Sequence, residues 1–167
     1  MSEKARGYIK NLELLLDSLE DIKSVFEGKM TVQSLYVLEE MTEEAKENMS
    51  PVLGYVNSLE KLLYRRDWMS GKLEIYRTPE QLEIMKPDAA KDMYLLTRPI
   101  ANTYKYLDSL RLECEFHRRR MQDFNKGELK QDRPSFEIEM EEFQEVNKLK
   151  LEYRIKDLKH LIESLKK

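Results

Sequence analysis

The stretch MYLLTRPIANTYKYLDSLRLECEFHRRRMQDF, residues Met93 to Phe124, decides the fold. Met93, Leu96, Ile100, Thr103, Leu107, Leu110, Cys114, His117, Met121 and Phe124 recur in it at alternating intervals of three and four. That repeat holds one stripe on a helix face. Sustained over more than four heptads, it implies a long helix in a left-handed supercoil, bent near its start by Pro99. A natural mate lies upstream, where Leu35, Leu38, Thr42, Ala45, Met49, Val52, Val56, Leu59 and Leu63 follow the same alternation. Pro51 falls inside that run, so a kink is expected there, or a restart with Ser50 as N-cap. The seam keeps its phase through the interruption.

Working outward, Ile9, Leu12, Leu16, Leu19, Ile22 and Phe26 form a third stripe, which Gly28 is expected to cap. Thr31 can N-cap the second helix. Ser70-Gly71 reads as a turn or weak point, and Thr78-Pro79-Glu80-Gln81 combines an N-cap, a first-turn proline and a capping-box glutamine for a short helix. Asn125-Lys126-Gly127 ends the long helix, and the polar linker from Lys130 leads to Ser135, read as the N-cap of a terminal helix. The stripe of that helix runs through Phe136, Met140 and Phe143, shifts phase near Asn147, and resumes as Leu151, Ile155, Leu158, Ile162 and Leu165. The expectation is an all-α fold: a long antiparallel helical hairpin with additional N-terminal and C-terminal helices. Residues 1–126 form a bundle, and the helix over 135–167 packs on it or on a neighbouring subunit. With the two seams mated, the first and last helices are the expected surfaces for self-association.

Composition agrees. In 167 residues, charged side chains make up 37% and hydrophobic ones 41%, while glycine and proline number five each, so there are few places to turn. A net charge of −3 argues against coating nucleic acid by bulk positive charge but permits a local basic face. Cys114 is the only cysteine, which excludes an intramolecular disulfide and suits a reducing compartment. The opening residues are too polar for a secretory signal, and no window approaches the roughly 18 apolar residues of a membrane span. A cytoplasmic, non-membrane protein is expected.

Chemistry is sparse. No nucleophile elbow, phosphate-cradling glycine loop or paired Cys-x-x-Cys motif occurs, so neither a catalytic site nor a cofactor is expected. Cys114 and His117, three apart, could supply half of a zinc site, but both occupy seam positions where packing is the better reading. Of the two histidines only His160 has an acid three residues before it, Asp157, so the paired Glu-x-x-His pattern of di-iron bundles is not met. In the terminal helix, acids gather early (Glu137 to Glu145) and lysines late (Lys148 to Lys167), which complements the helix dipole.

Two basic clusters stand against the acidic total: Lys61, Arg65, Arg66 and Lys72 around Trp68, and His117, Arg118, Arg119 and Arg120 followed by Phe124. Rings between cations suit a single strand, since bases stack on the rings while cations meet phosphates. Arginine also pairs with neighbouring acids such as Asp67, Glu113 and Glu115, and solvated charge beside a seam is ordinary. The candidate nucleic-acid-binding residues are Arg65, Arg66, Trp68, Lys72, Arg118, Arg119 and Arg120. Because the first cluster lies near the connection between the paired helices and the second far from it, they need not form one patch.

The order of Leu19-Glu20-Asp21-Ile22-Lys23-Ser24-Val25-Phe26, a helix, Arg65-Arg66-Asp67-Trp68-Met69-Ser70-Gly71, and the stretch from Asp108 to Met121 resembles the T4-type phage recombination mediators. The resemblance covers about residues 12–125. It implies a homo-oligomeric, ring-forming helical protein that binds single-stranded DNA and helps load a recombinase in place of single-strand binding protein, in a bacterial host's cytoplasm. In that family basic residues precede an aromatic pair and Ser-Gly, and are implicated in DNA contact; by position these are Arg65 and Arg66. Trp68 matches one aromatic, Met69 departs from the other, and the helix over 135–167 has no counterpart. The alternative reading is a structural or adaptor coiled-coil protein that binds only protein.

Overall fold

The computed structural model describes residues 2–167; Met1 lies outside them. In chain order the elements are α1 (Glu3–Arg6), α2 (Ile9–Phe26), α3 (Val32–Leu63), β1 (Tyr64–Arg66), β2 (Leu73–Ile75), α4 (Pro79–Met85), α5 (Pro87–Asn125) and α6 (Arg133–Lys166). The fold is all-α apart from the small β1–β2 hairpin. No helix among the described residues is long and apolar enough to cross a membrane.

The two seams mate. On α3 all nine stripe residues from Leu35 to Leu63 are buried, and on α5 the stripe is buried from Leu96 to Met121. The pairing is antiparallel, because Glu39 meets Arg118, Glu43 meets Arg111, Lys46 meets Asp108 and Tyr55 meets Asp92. A second antiparallel pair, α2 with α6, is edged by contacts of Lys23 with Glu152, Glu20 with Lys159 and Glu13 with Lys166. α2 also packs on α3, with Asn48 donating to Ser18 at 3.2 Å, and α6 meets α5, with Tyr106 donating to Asn147 at 3.0 Å. The four long helices thus close a cycle of antiparallel neighbours around one core. The stripes expected to serve self-association, on the first and last helices, instead cover each other within the chain.

Several local expectations are corrected. Pro51 neither ends α3 nor restarts it. It lies in an unbroken 32-residue helix, where one missing donor is outweighed by the fully buried Met49 and Val52 on either side. The N-cap of α6 is Asp132, not Ser135: its carboxylate accepts from the Ser135 amide at 3.0 Å, leaving Arg133 and Pro134 in the first turn. Gly28 follows α2 without entering the left-handed region, and the carbonyls of Phe26 and Gly28 are instead met by the Gln144 amide at 2.5 and 2.6 Å. In α2, Leu15 is fully buried where the stripe named Leu16, which is only half-buried. Thr31 N-caps α3 and the Thr78–Gln81 capping box forms as read, while Ser34 closes a second box at Thr31 that the reading did not include. Asn147, at the phase shift of α6, is itself buried. It accepts from Tyr106 and donates to the Phe143 carbonyl, so the polar group in the stripe is satisfied.

Candidate nucleic-acid interface

The connection read as a turn is a β-hairpin standing off one end of the bundle. α3 runs directly into β1, and the antiparallel register sets Tyr64 opposite Ile75, Arg65 opposite Glu74 and Arg66 opposite Leu73. A helix end leaves carbonyls without partners, and the hairpin root supplies them. The amides of Tyr76 and Arg77 donate to the Leu63 carbonyl at 2.7 and 3.1 Å, and the Arg77 guanidinium donates to the Leu62 carbonyl at 3.1 Å.

At the far end, the Asp67 amide donates to the Lys72 carbonyl at 2.9 Å and the Gly71 amide to the Asp67 carbonyl at 2.7 Å. Gly71 has φ +70, a conformation that costs glycine little and a side-chain-bearing residue more. The Asp67 carboxylate accepts from the Ser70 hydroxyl at 2.8 Å and the Met69 amide at 3.1 Å, bonds that hold it below the ordinary carboxylate range. The one acid in the cationic stretch therefore builds the turn instead of pairing with an arginine. The same turn thrusts Trp68 outward, 89% exposed, with Met69 at 80%.

Between the hairpin and the end of α3 lies a groove of about 650 Å³, lined by Asn57, Glu60, Lys61, Tyr64, Arg65, Arg66, Leu73 and Tyr76. Tyr76 is clasped by two guanidiniums, Arg65 at 4.2 Å and Arg77 at 4.3 Å from its ring centre. Arg66 donates to the Gly71 carbonyl at 2.6 Å, tying strand to turn. Among the described residues, none of Lys61, Arg65, Arg66, Lys72 and Arg77 lies within ion-pair distance of a carboxylate. The arrangement offers rings for stacking beside cations for phosphate.

The second cluster is different. Arg118 forks onto Glu39, with its Nε donating at 2.5 Å and an Nη at 3.2 Å; Arg119 meets Glu115 at 2.7 Å; and Arg120 contacts both Glu139 and Gln131. Arg118 and Arg120 hold helices together, whereas Arg119 pairs within α5 and is largely exposed, at 69%. They also lie about 36 Å along α3 from the hairpin, counting from Glu39 to Leu63 at 1.5 Å per residue. Of the seven candidates, then, Arg65, Arg66, Trp68 and Lys72 are brought together, and Arg118, Arg119 and Arg120 stand apart from them.

Tyr64, Tyr76 and Arg77 complete the site and were missed in the sequence. The signal was available, since aromatic residues alternate with cations across Tyr64-Arg65-Arg66 and Tyr76-Arg77. Cys114 and His117 both face the core. Burial pushes the thiol pKa up and the imidazole pKa down, and the His117 ring packs 4.2 Å from Phe143. Comparison with known protein families, with characterised proteins and with solved structures gives no match to this chain.

Proposed function

We propose that this chain is a non-catalytic, self-associating helical protein that binds single-stranded DNA through the hairpin and assists recombinase loading. One observation carries the reading: an exposed tryptophan and two tyrosines are gathered at the hairpin and its root with five cations that have no carboxylate partner. A flexible strand can lay bases on Trp68 and Tyr64 while its phosphates meet Lys61, Arg66, Lys72 and the two arginines that Tyr76 positions, Arg65 and Arg77. The layout shared with the T4-type recombination mediators supports the recombinase part of the proposal, because the resemblance assigns DNA contact to Arg65 and Arg66.

Binding of a labelled single strand, followed as salt is raised, tests this. If all five cations meet phosphates, affinity should fall with a log-log slope of roughly −3.5, at about 0.7 per contact. Trp68→Ala, at a position too exposed to matter for folding, should weaken binding roughly five- to 150-fold, the worth of one base stack. No binding at low salt, or an unaltered Trp68→Ala affinity, rejects the site.

A second reading, an adaptor that binds only protein, is favoured by one feature. Leu73 and Ile75 in the hairpin and Ile84 in α4 are 63%, 74% and 83% exposed, more apolar surface than phosphate recognition needs. The salt titration separates the two readings.

A further inference from the structure

The hairpin's two outer edges are open, and the charges on its strands choose a partner for them. In an antiparallel ladder, residues alternate between bonding across the pair and pointing away from it. The bonds from Asp67 to Lys72 and from Tyr76 to Leu63 fix the phase, so Arg65 and Glu74 bond each other. The main-chain groups of Arg66 on β1, and of Leu73 and Ile75 on β2, face outward with the Tyr64 carbonyl; the Tyr64 amide already serves the Glu60 carbonyl of α3. Every residue of both strands is exposed. A two-stranded ribbon with bare edges and apolar side chains on its surface is only marginally stable by itself.

From this we propose that β2 of one copy pairs antiparallel with β1 of a second copy, extending the hairpin into a sheet that runs from subunit to subunit. The register is the one already present within the hairpin. Leu73 and Arg66 exchange amide-carbonyl bonds across the junction, the Ile75 amide donates to the Tyr64 carbonyl, and Glu74 faces Arg65 between them. The rival seams are disfavoured. Pairing β2 with β2 about a two-fold axis sets Glu74 against Glu74 where Leu73 meets Ile75, and pairing β1 with β1 sets either Arg65 against Arg65 or Arg66 against Arg66, like charges directly opposite. Sliding the mixed seam by two residues puts Glu74 against Asp67 in one direction and Arg65 against Lys72 in the other. The two-fold β2 seam that sets Leu73 against Leu73 also alternates sign, matching Glu74 with Lys72, but it leaves the β1 edge bare. The head-to-tail junction in this register is the one that covers both edges with alternating sign, and it continues the apolar row of Tyr64, Leu73 and Ile75 from one copy to the next. Such a junction is heterologous, so copies add in one direction and the assembly ends only where rotation closes it.

This locates the self-association proposed above. It uses the hairpin's edges, whereas nucleic acid would use its faces, so the two fail separately. The test is sedimentation velocity of the intact protein, free of nucleic acid, over a series of concentrations. The wild type should associate as concentration rises, while Arg65→Glu and Glu74→Arg should each weaken association at least tenfold. An equimolar mixture of those two variants should recover it, since every junction between unlike copies then pairs glutamate with arginine. Leu73→Pro removes an edge-facing amide without touching the hairpin's own bonds, and should also leave the protein monomeric. A wild type that stays monomeric, single variants or a Leu73→Pro protein that associate normally, or a mixture no heavier than its components would each overturn the proposal. None of those results bears on the salt titration.

Discussion

Tyr55 shows how one side chain ties three parts of the chain. Its hydroxyl donates to Asp92 of α5 at 2.5 Å, the Ser2 hydroxyl contacts the same carboxylate oxygen, and the Tyr8 ring stacks on it at 5.3 Å. Burial, reinforced by the bond to Asp92, pushes the phenol from its ordinary value of 10.0 up to about 12. The folded state thus favours the neutral phenol. The resulting stability is complete below pH 10 and drains away as pH rises towards about 12, on the order of 2 kcal/mol in all. Tyr55→Phe should cost about 1–3 kcal/mol at neutral pH, by leaving the buried Asp92 short of a donor, and should flatten the alkaline decline. Urea unfolding across that range measures both effects. Tyr106, also pushed up by burial, keeps part of the slope; an alkaline decline identical to the wild type's would remove Tyr55 from the account. At this scale the sequence was only partly legible. Arg65, Arg66, Trp68 and Lys72 could be grouped because they are neighbours along the chain. The partner of Arg118, Glu39, lies 79 positions away, so a run of three arginines looked free when it was paired.

Among the elements, α3 carries two residues that helices disfavour, Pro51 and Gly54, within one turn of each other. Gly54 is exposed, its φ is not positive, and a Cβ there would meet nothing within 4 Å. Gly54→Ala should therefore stabilise the protein by about 0.5–1 kcal/mol, chiefly by restricting the unfolded chain, and a thermal melt shows the sign directly. A lowered melting temperature would mean that the backbone around Pro51 needs glycine at this position. The long helices were readable because each repeats one instruction many times over. The hairpin was not, because each strand has only three residues, both faces are exposed, and the single alternation of Leu73, Glu74 and Ile75 is too short to mark a strand. The cap of α6 is ambiguous in the sequence for a related reason: Asp132 and Ser135 are equally good N-caps, and the proline two residues after Asp132 settles the choice.

The whole molecule follows from which stripes find each other. That α3 and α5 are mates could be read from their matched lengths and shared alternation. That α2 and α6 cover one another across the other side of the core could not, since each could equally have lain on a neighbour. The closed cycle leaves the hairpin as the element least tied to the core, joined to it by the root bonds at Leu62 and Leu63. A protease that cuts after basic residues should reach Arg65, Arg66 and Lys72 well before sites within the long helices. The nick severs α1, α2 and α3 from α4, α5 and α6, yet each long helix on one side of the cut packs against one on the other: α3 against α5, and α2 against α6. The two fragments should therefore travel as one particle until denatured, and separately expressed halves should find each other. The connection that gives the chain its candidate binding element is then dispensable for holding the chain together, which makes it the natural place to open this protein into two genes' worth of product or to insert a foreign loop.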